Sequence, residues 1–197
     1  MTAPTVTAAD IRKFWFEEAG PAAWYRVSPD FDARVRRRFA ACIEHEAVIL
    51  RAGEHAWLDD AEDALALILL FDQFPRNIWR GSGKAFAFDP LARQVARGMI
   101  ERGFDYAIAE EQRAFVYMPF MHSEALSDQD YCVEMAADRL KSQGTHDHAV
   151  KHREVIRRFG RFPYRNEALQ RETTAEEADY LEHGGYAPGR IDSAKTT

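Results

Sequence analysis

The chain has 197 residues, 46% of them hydrophobic, with a formal net charge of −6 and a pI near 5.7. That is enough apolar material for a sizeable core, and with no Pro/Gly/Ser-rich linker it predicts one domain over residues 1–183 and a poorly ordered tail at 184–197. An acidic balance argues against a nucleic-acid partner, and the longest apolar run, Ala64 to Phe71, is too short to enter a bilayer as a span.

Thr7 and Asp10 make a capping start for a first helix whose apolar face is Ile11, Phe14, Trp15 and Ala19, ended by Gly20-Pro21. Ser28-Pro29 opens a second, with Phe31, Val35, Phe39, Ile43, Ala47 and Leu50 at helical spacing until Gly53. Its opposite side carries Arg34, Arg37 and Arg38, which read as a solvated face. Asp59 or Asp60 caps a third helix that is apolar almost all round, the mark of a central, buried element. This helix is expected to end at Asp72-Gln73-Phe74 before Pro75. A carboxylate there opposes the negative end of the helix dipole, so Asp72 calls for a cationic partner.

A loop from Arg76 to Lys84 is expected next, then a helix from Asp89-Pro90 to Arg102, stopped by Gly103. A short helix follows from Asp105 through Gln112, and then a buried, bent connection or short helix from Ala114 to Glu124, broken by Pro119. Ser127 and Asp130 begin another helix to about Ser142, Thr145 starts one that stops at Gly160, and Thr173 or Thr174 caps a last one to His183. Alternating runs and hairpin turns are nearly absent, so the fold class is all-α, a stack of antiparallel helical hairpins or a bundle. Cys42 and Cys132 are too few for a disulfide framework and are not spaced as a zinc pair. With no basic-then-apolar leader in MTAPTVTAAD, the expected compartment is the cytoplasm.

The densest stretch is HREVIRRFGRFPYRN, from His152 to Asn166. His152 shares the apolar stripe with Ile156 and Phe159, so it faces inward, while most arginines of the same helix face elsewhere. The loop after it, Phe162-Pro163-Tyr164-Arg165-Asn166, is echoed earlier by Phe74-Pro75-Arg76-Asn77. Guanidinium groups beside aromatics at helix ends suit bidentate binding of carboxylate or phosphate, which selects Arg76, Arg161 and Arg165 with Asn77 and Asn166 beside them. The same arginines can equally pair internally with Asp72, Glu124 and Asp128. His122-Ser123-Glu124 emerges at the end of an apolar element, where polar groups are available for chemistry. No glycine elbow flanks Ser123, so a hydrolase triad is not indicated. His148 and His152, four apart, have a metal-compatible spacing but no third ligand fixed in sequence, so neither a metal nor another cofactor is expected.

With FDQFPRN, FVYMPFMHSE, Asp128-Gln129 and HREVIRRFGRFPYRN in view, the sequence resembles the bacterial domain-of-unknown-function family 924 over about residues 10 to 183. The resemblance implies a helical fold like the tetratricopeptide superhelices, without their repeat signature, and implies no activity. Tyr164 and Gln170 depart from the family's commoner RFPHRN and LGR patterns, so a histidine role at position 164 does not carry over.

Taken together, the loops at Phe74–Asn77, His122–Glu124 and Arg161–Asn166 are expected to meet. They would form a site for a small anionic ligand, with His122 or His152 as acid/base, Glu124 as orienter, Arg76, Arg161 and Arg165 as clamps, and Asp72 at its edge. The competing expectation is a peptide- or protein-binding scaffold in which this cluster only locks helix ends.

Overall fold

The computed structural model describes residues 6–24 and 26–187, and among these there is helix and turn but no strand. The expected all-α class holds. Helix α1, Ala8–Lys13, starts at a Thr7 capping box, runs on as a π-helical turn over Phe14–Ala19, and stops where Gly20 takes φ +67°. The short α2, Pro21–Trp24, leads to α3, Pro29–Arg51, which Ser28 caps through the Phe31 amide. The exposed arginines of α3 are not idle charges. The guanidinium groups of Arg34 and Arg38 lie over the Phe14 ring, 5.2 Å and 4.8 Å from its centroid.

Helix α4, Ala61–Ile68, is capped by Asp60, and its residues from Ala64 onward are buried on every side, as its unbroken apolar run requires. At its end the structure departs from the sequence reading. The chain does not leave the helix before Pro75 but widens into a π-helical turn, Leu69–Gln73, and continues as α5, Phe74–Ile78. A proline inside a regular α-helix clashes with the preceding turn and lacks the N–H it should donate. Here Pro75 stands in the first turn of α5, where a free N–H is not needed, and the π turn supplies the change of register.

Helix α6, Asp89–Glu101, ends at Gly103 with φ +71°. Helix α7, Glu110–Met121, takes the helical of the two alternatives expected around Pro119, starts earlier than expected and continues through the proline. Burial of Phe115, Val116, Tyr117, Phe120 and Met121 around that proline offsets the hydrogen bond lost there. Helix α8, Leu126–Arg139, begins just before Ser127, which therefore does not cap it. Instead the Ser123 hydroxyl accepts the Ala125 amide and donates to Asp128. Helix α9, Gln143–Phe159, is capped by Ser142 rather than Thr145 and stops at Gly160, φ +68°. Helix α10, Ala175–Glu182, begins with a Thr174–Glu177 capping box.

The core has two parts. The larger gathers α1 and α3 to α8 around α4, with Ala149 of α9. The smaller is Val155, Ile156 and Phe162, packed by Phe159, Tyr164, Tyr180 and Tyr186. It seats α10 and the turn after α9. The expected tail lies outside the described residues from 188 on. Its first residues, 184–187, turn back so that Tyr186 packs on the His152 ring with centroids 4.3 Å apart. No described helix is long and apolar enough to cross a membrane.

Candidate functional site

Asp72 sits in the π turn of the most buried stretch of the chain, and its side chain is wholly inaccessible. A carboxylate so placed must be compensated. The Arg76 guanidinium, one turn on, reaches Asp72 Oδ1 at 3.3 Å and also donates to the Asp72 carbonyl. The Gln73 amide donates to Oδ2. From the end of α7, His122 brings Nδ1 to 2.8 Å and 3.0 Å from the two carboxylate oxygens. The cationic partner expected for Asp72 is therefore Arg76, with His122 as a second neighbour.

Burial works against the ionised form of Asp72, but Arg76 and His122 outweigh it and hold the carboxyl well below its usual range. His122 is itself lowered, first by burial and then by the Arg76 cation, although Asp72 pulls the other way. The pair therefore rests as carboxylate and neutral imidazole, with Nδ1–H donating to Asp72. The backbone under His122 is held by Gln129, whose amide donates to the carbonyls of Met121 at 2.7 Å and Ser123 at 2.6 Å.

His152 faces the same place from α9, its ring centroid 6.2 Å from that of His122. Its Nδ1–H donates to the His148 carbonyl at 2.7 Å. Burial and the nearby His122 push its pKa down to about 3, so it too is neutral. Neither imidazole Nε2 has a hydrogen-bond partner among the described residues. His148 offers its backbone carbonyl to His152, and its own side chain is in an exposed position. Among the described residues no group of three or more His, Cys, Asp or Glu is placed to hold an ion.

Arg76 turns its remaining donors to Asp89, bidentate at 3.0 Å and 3.0 Å. Asp89 was read as the start of α6, but its carboxylate does not cap that helix and is free for this role. Arg165 approaches the same Asp89 at 3.9 Å and donates from Nε to the Tyr164 hydroxyl at 3.0 Å. Its guanidinium lies over Phe86 and Phe162, 4.5 Å and 4.4 Å from their ring centroids. With 4% of its side chain exposed, Arg165 leaves Nη2 buried and without a partner.

The structure therefore joins Asp72, Arg76, His122, His152 and Arg165. It places the other predicted residues elsewhere. Arg161 is bidentate on Glu177 at 2.6 Å and 2.8 Å, and Asn166 donates to that same carboxylate at 3.1 Å. Asn77 donates to Asp32 on α3 at 2.8 Å. Glu124, expected to orient a histidine, holds Arg171 at 2.7 Å and 3.0 Å and accepts the Phe162 amide at 2.9 Å. Asp72 has the place beside His122 that Glu124 was expected to occupy. Sequence reasoning missed Asp89, Gln73 and Tyr186. Only Asp89 carried a signal, and its position before a proline explained it away as a helix start.

The sequence profile of the family described as bacterial protein of unknown function (DUF924) matches residues 11–185, and the chain belongs to that family. Its fold is similar to the solved structure of the protein of unknown function ATU0120 from Agrobacterium tumefaciens, at 44% identity and a TM-score of 0.82. That similarity covers 90% of this chain and 97% of the other. No match was found among curated proteins.

Proposed function

We propose that this chain binds a small organic anion beside His122 and Arg165, with His122 able to take a proton from it. The observation that carries the reading is a neutral imidazole whose Nδ1–H is tied to a fully buried carboxylate while its Nε2 is uncommitted. A buried carboxylate on Nδ1 fixes the tautomer and makes the other nitrogen a better proton acceptor, the relation that serves general bases. The unpartnered Nη2 of Arg165 supports the anion half of the reading. His122 and Arg76 keep 17% and 21% of their side chains exposed, so the cluster meets solvent at that edge.

The scaffold reading, a tetratricopeptide-like surface for a peptide or protein with a structural polar cluster, is favoured by one observation. Arg76 and Arg161 are each already bidentate on a protein carboxylate. Thermal melting of the full chain against small carboxylates and phosphates separates the two. A ligand at one hundred times its Kd adds about 2.7 kcal/mol, which in a domain of this size raises Tm by roughly 5–10 °C. We expect such a shift with at least one carboxylate, and its loss in Arg165→Gln and His122→Asn variants that keep a native circular-dichroism spectrum. A flat response across the panel would favour the scaffold.

A further inference from the structure

Resting on that site, the pattern of uncommitted hydrogen-bonding groups also defines the ligand's chemistry. The histidines each spend Nδ1 as a donor, His152 on a carbonyl that can only accept and His122 on a carboxylate already bonded by Arg76 and Gln73. Burial beside two guanidinium groups keeps both rings neutral. Each Nε2 is then a lone pair seeking a proton donor. Arg165 contributes the opposite demand, since its buried Nη2 is a charged donor without an acceptor. The two demands are close together. His152 and Arg165 pack on the same Phe162 ring, 5.7 Å and 4.4 Å from its centroid, and the imidazole centroids are 6.2 Å apart.

We propose that the site takes a small hydroxycarboxylate, its carboxylate accepting from Arg165 and its hydroxyl donating to the Nε2 of His122 or His152. A plain carboxylate meets only half of this pattern, because it brings no proton to the imidazoles. Leaving them unmet in a desolvated contact discriminates strongly against an analogue without the hydroxyl. A phosphate dianion fits worse. It would set lone pairs against lone pairs and add two charges to a cluster where Asp72 and Asp89 already balance Arg76 and Arg165. An amino acid could donate as well, but its ammonium would stand among two arginines.

The test uses the full chain at pH 7.5 and matched probes: acetate against glycolate, propionate against lactate, then glycine and inorganic phosphate. Affinities come from calorimetry, and 15N spectra follow the histidine Nε2 signals, assigned with His122→Asn and His152→Asn. The expected result is binding of glycolate or lactate at least tenfold tighter than acetate or propionate, with movement of an Nε2 signal and weakening in Arg165→Lys. Equal binding of acetate and glycolate, or tighter binding of glycine or phosphate, overturns this inference and leaves the anion site standing. Absence of binding by every probe removes both.

Discussion

His152 is a conserver of neutrality more than a charge. Buried against Tyr186 and Phe162, it pays for no solvation in the folded chain only while it stays unprotonated. In the unfolded chain it titrates near 6.5, in the folded chain at about 3. The unfolded state therefore binds the extra proton first. Stability is full above about pH 6.5 and falls as pH drops, by roughly 2 kcal/mol between pH 6.5 and pH 5 from this residue. The lowered His122 acts in the same direction, and Asp72 adds a further loss at more acidic pH, where the unfolded carboxyl takes up a proton that the folded one does not. Urea unfolding at pH 7, 6 and 5 should trace this slope, and His152→Phe should reduce it. An unchanged slope in that variant would show that the acid sensitivity has another source.

At the scale of elements, the site depends on places where regular helix is interrupted or ended. The π turn at Leu69–Gln73 lets an apolar helix carry a carboxylate and still continue through Pro75, with Arg76 one turn further on. The end of α7 delivers His122, and Gln129 of α8 secures it. The chain after α10 provides a cover. Gly184 takes φ +82°, and a Cβ at Gly185 would collide with the Tyr180 carbonyl oxygen, so this turn needs glycine to hold Tyr186 in place. The Tyr186 amide then donates to the Tyr180 hydroxyl at 2.9 Å. Gly185→Ala is expected to lift Tyr186 from His152 without unfolding the helices. Loss of the ring-current shift on the His152 side-chain signals would report it, and an unshifted signal would mean the turn accommodates the methyl.

Over the whole molecule, the site draws on two packed parts: Asp72, Arg76 and His122 stand on elements of the larger core, and Phe162, Tyr164 and Tyr186 form a smaller wall from the C-terminal cluster. The smaller wall rests on far less buried apolar surface, so it should open before the rest. Native-state hydrogen exchange is expected to protect the amides of α4 at the level of global unfolding and those of α10 at a level several kcal/mol lower. Equal protection in the two helices would mean that both parts unfold as one unit.

Local chemistry was enough to settle the all-α class, the caps at Thr7 and Ser28, the stops at Gly103 and Gly160, and the inward face of His152, and to bring two further caps down to Asp59 or Asp60 and Thr173 or Thr174, because these follow from spacing and backbone preference. It could not decide the course of the chain at Pro75 and Pro119. Each proline reads as a break, and only packing around it makes helix the better state. Nor could it allot carboxylates to arginines. Asp72, Glu124 and Asp128 were all open to Arg76, Arg161 and Arg165, and the folded chain gave Asp72 its neighbour one turn on, Arg76, while contacts distant in sequence gave Arg76 also to Asp89, Arg171 to Glu124, Arg161 to Glu177 and Arg93 and Arg97 to Asp128. That allotment left Arg165 with an uncommitted donor between aromatic rings. Its place in the site follows from how the helices pack, since charge pairing acts through space and has no period along the chain.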